Sequence, residues 1–210
     1  MSTTQASKQD TTQTLPAIGW ESAGIRMTPE EFDAIEEYNE LYQYELVDGV
    51  LVVNPIPLDA HSSPNEYLGG LLFVYQHQHP EGSIIDETMQ ERYVRLPNSR
   101  RRADRVMWTG LGRAPDSSVD VPAIAVEFVS AGKRSWIRDY ENKRDEYLAA
   151  GVKEYWIIDR FDRTMTVYSP GPDGPQIRVI QETETYQTEL LPGFELPLAQ
   201  ILAQADKYNR

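Results

Sequence analysis

From Pro122 to Ser130 the chain reads Pro-Ala-Ile-Ala-Val-Glu-Phe-Val-Ser. A run this apolar marks a strand covered on both faces, which requires a sheet with helices packed on either side. Strand alternation puts Ile124, Val126 and Phe128 on one face and Ala123, Ala125, Glu127 and Val129 on the other. Glu127 is therefore a carboxylate inside a buried strand. Such a group needs a cation, a proton or a partner, because burying it alone is costly. A core salt bridge to an arginine is the ordinary alternative to a functional role.

Both kinds of element surround that strand. Thr28-Pro29-Glu30-Glu31 opens a helix with a capping box, predicted to run through Phe32, Ile35 and Leu41 to about Tyr42. Asp48-Gly49 between Tyr44–Val47 and Val50–Val53 predicts a hairpin with a type I′ turn. Ser63-Pro64-Asn65-Glu66 caps a second helix, with Leu68, Leu71, Leu72 and Tyr75 as its stripe. Strands are predicted at Ser83–Asp86, Arg92–Leu96 and Ala103–Trp108. A helix over about Ile137–Ala150 closes on Gly151. Strands at Glu154–Asp159, Thr164–Tyr168, Gln176–Ile180 and Tyr186–Leu190 and a helix from Leu198 complete the chain. The βαβ step across 122–159 makes this an α/β fold, a mixed central β-sheet flanked by helices.

With 210 residues the chain is expected to hold one domain, over 20–205, between an N-terminal tail (1–19) and a short C-terminal one (206–210). The absence of cysteine excludes disulfides, thiolate metal sites and cysteine nucleophiles. No apolar run approaches the ~20 residues of a membrane span, and the N-terminus has no apolar segment of the secretory kind. A cytoplasmic protein without a membrane partner is expected.

Three more charges fall inside apolar patterns. Asp104 shares a strand face with Val106 and Trp108, while Ala103, Arg105 and Met107 face the other way. Two acids on neighbouring interior strands suggest oxygen ligands for a hard cation; a helix cap or a partner in Arg101 or Arg102 is the plain alternative. Lys143 falls on the inward stripe of its helix with Tyr140 and Tyr147. It either snorkels outward, pairs with Asp139, or aims its ammonium at something buried. Glu45 shares a face with Val47, where a solvated hairpin residue is the ordinary reading. His61 precedes the Ser63 cap and can reach a site formed by neighbouring loops.

Net charge is −13, which argues against nucleic acid wrapping the whole surface. Yet residues 91–105 and 130–144 carry eleven of the twenty basic residues and only four acids. Arg101, Arg102, Arg105, Lys133 and Arg138 belong to these windows, which flank Asp104 and lead to Lys143. A positive rim around a carboxylate site suits a phosphodiester; ordinary ion pairs with acids elsewhere would explain the same windows.

The order Tyr44-Glu45-Leu46-Val47-Asp48-Gly49, His61, Asp104, Val126-Glu127-Phe128-Val129-Ser130, Lys143, Gly151-Val152-Lys153-Glu154-Tyr155-Trp156-Ile157-Ile158-Asp159 and Leu191-Pro192-Gly193-Phe194 resembles the Uma2 family, also called DUF820, of bacterial endonucleases. The resemblance covers about residues 28–203. It implies the restriction-endonuclease-like PD-(D/E)xK fold. In that superfamily an Asp and a Glu on adjacent strands bind magnesium, and a lysine stands near the attacking water. Carried over, Asp104 and Glu127 match the two metal-binding acids and Glu45 a supporting ligand. His61 matches a histidine that follows the hairpin. The usual lysine position holds Val129, so Lys143 takes that role from the following helix. Ala103 stands where the pattern has Pro, and Ala131-Gly132 where it has Pro-Ser.

The resemblance thus implies an Mg²⁺-dependent endonuclease, with Mn²⁺ able to substitute, that acts on nucleic acid, DNA before RNA, and works as a homodimer. Asp104, Glu127, Lys143 and Glu45 would be catalytic. Arg101, Arg102, Arg105, Lys133, Arg138 and His61 would hold substrate. The alternative is a catalytically inactive binding or regulatory module in the same fold. A two-carboxylate glycosidase would leave the inward lysine and the arginine windows unexplained.

Overall fold

The computed structural model describes residues 17–131 and 138–208. Eight strands form one mixed sheet: β1 (Tyr42–Val47), β2 (Val50–Pro55), β3 (Ile85–Arg95), β4 (Arg100–Thr109), β5 (Ile124–Phe128), β6 (Glu154–Asp159), β7 (Thr164–Ser169) and β8 (Gln176–Gln181). Their order is β2-β1-β4-β5-β6-β7-β8, with β3 also paired to β4. Only β5 and β6 run parallel. A parallel pair needs a crossover, and this one carries α3 (Arg144–Ala150). The other α-helices among the described residues are α1 (Pro29–Asp33), α2 (Asp59–Gln78) and α4 (Leu198–Asp206); β9 (Thr185–Tyr186) and β10 (Leu196–Pro197) make a small separate ribbon.

The layers follow the predicted alternation of β5. Ile124, Val126 and Phe128 pack with Leu68 and Leu72 of α2 and Ile201 and Leu202 of α4. Ala125 and Val129 pack with Tyr147 of α3 on the opposite face. The first hairpin forms as predicted, with Asp48 and Gly49 both at positive φ (47° and 73°) and Val47 paired to Val50. No helix among the described residues is long and apolar enough to cross a membrane.

Several boundaries differ from the sequence reading. The Thr28–Glu31 capping box is present, but α1 stops at Asp33. Beyond it the backbone of 37–39 bonds to Ile18 instead of continuing the helix: Ile18 N–H donates to Glu37 O and Asn39 N–H to Ile18 O. Ile18, within the expected tail, is buried as a result; residues 1–16 lie outside the described residues. At the other end, Asp206 closes α4 and pairs with Arg163. The second helix starts at Asp59, five residues before Pro64, because the Leu58 carbonyl takes bonds from the His61 and Ser62 N–H groups. His61 therefore rides on the first turn of a helix and not on a loop. The two strands predicted at 83–86 and 92–96 are one strand, β3. The strand predicted at Tyr186–Leu190 shrinks to the two residues of β9.

β4 organises the site. Arg100 pairs with both Leu46 of β1 and Arg95 of β3, and Arg105 with both Val126 of β5 and Gln90 of β3. β3 thus fills one edge of β4, while β1 and β5 share the other, one near each end. Residues 101–104 lie between them, where the second edge has no strand partner.

Below this edge, Asp33 at the end of α1 receives Arg100 at 2.9 Å, together with Arg95. Partial burial opposes the ionised form of Asp33, yet the two arginines outweigh it and hold the carboxyl below its usual range. A depressed carboxyl contributes stability above its unfolded pKa and loses it as pH falls through the folded value. Asp33→Asn should therefore cost about 1–3 kcal/mol at neutral pH, the scale of lost hydrogen bonds between charged groups. Urea denaturation should show the gap between variant and parent closing as the pH is lowered below about 4.

Candidate active site

The unpaired stretch of β4 leaves backbone groups that must be satisfied inside the protein. Two charged side chains satisfy those of Arg102. Its N–H donates to Glu45 Oε1 at 2.8 Å, and its carbonyl accepts from Lys143 Nζ at 2.7 Å. The same ammonium donates to Glu127 Oε1 at 2.8 Å and lies 3.2 Å from Glu45 Oε1. Lys143 is 2% exposed, Glu127 2% and Glu45 3%. β1, β4, β5 and the helical segment before α3 therefore meet at one nitrogen atom. That segment, Arg138–Lys143, is a π-helical turn, a form of helix that recurs at functional sites. One α-helical turn on, the Tyr147 hydroxyl donates to Glu127 Oε1 at 3.3 Å. Burial, followed by the charges of Glu127 and Glu45, keeps that phenol far above its usual range, so it remains a donor.

Asp104 lies beside this clamp. Its Oδ2 accepts the Phe128 N–H at 2.6 Å and lies 3.0 Å from His61 Nε2. The other ring nitrogen, His61 Nδ1, stands 3.2 Å from Ser130 Oγ. Burial opposes the charge of Asp104, but His61, Lys143 and the Phe128 amide together hold its carboxyl below the ordinary value. Asn65 on α2 covers the Asp104 carbonyl with a bond of 2.8 Å.

Strict alternation fails at this point. Val94 and Ala103 share an apolar cluster with Val106 and Trp108, although the sequence pattern put Ala103 on the opposite face. The pairs Gln90–Arg105 and Arg92–Ala103 leave Glu91 across from Asp104. Glu91 has φ 54°, the left-handed region that a non-glycine residue enters at a cost. The phase change there turns the Glu91 carboxylate into the same cleft. It accepts Arg102 Nε at 2.7 Å and Gln43 Nε2 at 2.9 Å. Burial, then the charge of Asp104, raises its carboxyl against the opposing pull of Arg102.

These groups line a cleft of about 320 Å³ that includes Glu45, Glu91, Asp104, Glu127, Arg102 and Lys143. Among the described residues, four carboxylates line it with two permanent cations and His61. Among the described residues no three acidic or histidine side chains are drawn tightly enough together to cage a cation unaided.

A family profile described as "Putative restriction endonuclease", Uma2, matches residues 29–199. The chain belongs to the Uma2 family. A crystal structure described as a "putative nuclease belonging to DUF820", from Anabaena variabilis ATCC 29413, superposes on the Uma2 chain with a TM-score of 0.68. The match spans 85% of this chain and 99% of that one at 15% sequence identity, so it shows a shared fold. No curated protein matches the chain.

Within this Uma2 chain, five of the residues singled out in the sequence meet at the cleft: Glu45, His61, Asp104, Glu127 and Lys143. The solvated reading of Glu45 and the snorkelling of Lys143 are both set aside by their burial. Arg102 also lines the cleft, but Arg101 and Arg105 do not. Arg101 forms a two-pronged pair with Glu146, both bonds at 2.6 Å. Arg105 donates to Asn65 Oδ1 at 2.7 Å and to Asn65 O at 3.1 Å, lying across Gly69 where a side chain would collide with it. Central strand positions turned these two guanidinium groups into braces between sheet and helices. Lys133 lies outside the described residues, as does the side chain of Arg138. Sequence reasoning missed Glu91, Gln43 and Ser130. No periodicity could reveal Glu91, because it reaches the cleft only through a break in periodicity.

A buried charge left without its partner is more costly than the pair is favourable. Lys143→Met should therefore lower unfolding free energy by about 3–5 kcal/mol. The double variant Lys143→Met/Glu127→Gln should lose less than the sum of the two single changes, since the coupled groups leave together. Urea titrations of the four proteins give the coupling.

Proposed function

We propose that the chain is a nuclease that hydrolyses phosphodiester bonds of nucleic acid, DNA before RNA, with a divalent cation as cofactor. The observation that supports it best is the buried Lys143 ammonium on Glu127, in one cleft with Asp104 on the adjacent strand. Family membership and the shared fold point the same way.

The donor chemistry suits Mg²⁺, a hard ion that takes oxygen ligands, one or two carboxylates at a time, and keeps several waters. The Phe128 N–H and His61 both approach Asp104 through Oδ2. Asp104, Glu127 and the Phe128 carbonyl would hold the ion, with Glu45 in support, and Mn²⁺ would substitute. When bound, it would supply acidification of a water and neutralisation of phosphate charge.

The protein's own groups do the rest of the work in this reading. Lys143, held by hydrogen bonds to Arg102 O and Glu127 Oε1 and lying 3.2 Å from Glu45 Oε1, turns a remaining N–H to the attacking water and offsets charge that develops on the phosphate. Arg102, held at Nε by Glu91, presents its outer guanidinium nitrogens to a phosphate oxygen. His61, steadied between Asp104 and Ser130, forms the wall against which the substrate backbone rests.

Purified protein with Mn²⁺ should nick or cut DNA. Asp104→Asn and Glu127→Gln should each lower that cleavage at least about a hundredfold while leaving the circular dichroism spectrum unchanged. If the parent protein with Mn²⁺ cuts neither DNA nor RNA in any form, the nuclease reading gives way to a binding module that kept the fold.

A further inference from the structure

A second groove, about 350 Å³, adjoins the cleft. Phe32, Tyr38, Tyr42 and Tyr93 line it with Arg92 and Arg95. Glu91 and Arg102 belong to both hollows, so their ion pair is the wall between them. Phe32 is buried and Tyr42 and Tyr93 are half-buried, while one ring of the groove stands open. Tyr38 is 54% exposed, and Trp20, 5.7 Å from the Tyr42 ring, is 58% exposed. Three arginines against Asp33 and Glu91 leave the groove with one net positive charge, on a chain whose total is −13.

We propose that this groove receives an unpaired nucleotide next to the scissile phosphate, which makes single-stranded or locally unpaired nucleic acid the substrate. Tyrosine faces beside arginines are the general means of holding such strands, since every base has a face to stack and every nucleotide a phosphate. A base inside a duplex already has both faces covered and would have to leave the stack first. The shared Glu91–Arg102 wall puts the groove one step along the backbone from the cleft, with Arg102 at the phosphate between them. Tyr93 supports the floor, its hydroxyl bonded to Tyr44 O at 2.8 Å. Tyr38 supplies the open face, and the half-buried Tyr42 the wall beside it. This inference rests on the phosphodiester reading of the cleft.

Binding and cleavage separate the two. Fluorescence anisotropy in EDTA, with a labelled oligothymidylate and a blunt duplex of the same length as probes, reads the groove alone. The parent protein should prefer the single strand. Tyr38→Ala and Tyr42→Ala should each weaken single-strand affinity about tenfold, the scale of one lost base stack. Duplex affinity should stay the same, and circular dichroism should show both variants folded at the temperature of the assay. Unchanged single-strand affinity in both variants, or a parent that prefers the duplex, overturns the proposal. So does a change of oligomeric state in the variants by sedimentation, which would make the groove a contact between copies of the chain. Single-strand binding that depends on the tyrosines, with no cleavage in Mn²⁺, upholds the groove and refutes the nuclease reading. Cleavage of duplex DNA with no effect of the tyrosines does the reverse.

Discussion

One ammonium group holds the centre of this protein together. Lys143 Nζ touches a carboxylate from β1, a carboxylate from β5 and a backbone carbonyl of β4. Each of those groups would be costly to bury alone. Neutral side chains could fill the same space, and well-packed apolar replacements of buried ion pairs often match or exceed the stability of the original. The arrangement is therefore better explained by what it presents to the cleft than by what it adds to stability. It places a cation and two carboxylates at fixed positions, with no solvent to reorganise around them.

The position of the clamp follows from sheet topology. β1 and β5 both need the same edge of β4, and neither reaches its middle. A gap in a sheet exposes unpaired N–H and C=O groups, and those of Arg102 accept the charged side chains. On the other edge, Glu91 with its positive φ changes the phase of β3 and β4 at the same level. The gap admits side chains from one side and the phase change turns Asp104 and Glu91 toward them. Without either irregularity, the acids would alternate into separate layers of the core.

Much of this was legible in the sequence, for definite physical reasons. Glu127 in an otherwise apolar strand and Lys143 on an inward helical stripe are violations of pattern, and a buried charge is the one violation that chemistry must resolve. The Asp48-Gly49 turn and the Thr28 cap depend on local backbone preferences, so they could be read directly. What could not be read depends on distant partners. α1 stops early because Ile18 takes over its backbone neighbours. β3 is continuous because β4 pairs along its whole length. The arginine windows were read as a phosphate rim, yet Arg95, Arg100 and Arg101 found Asp33 and Glu146. Composition counts charges without knowing which acid each will meet.

That pairing also resolves the conflict between a chain of net charge −13 and an anionic substrate. Surface charges more than about 10 Å apart are largely screened at physiological salt. The potential that a phosphate meets is set by the groups within reach of the cleft, and there Lys143 is buried in low dielectric where screening is weak, with the half-buried Arg102 nearby. The four carboxylates beside them are unfavourable to a bare phosphate. In the proposed reading a divalent ion in the site would make them favourable, since its charge would offset theirs. Substrate and ion would then be coupled through the same charges, each reducing the electrostatic cost of admitting the other. A cleft built this way would hold the scissile phosphate only weakly without the ion, leaving strand binding to the tyrosine groove beside it, and would need no basic surface to retain that phosphate once the ion is in place.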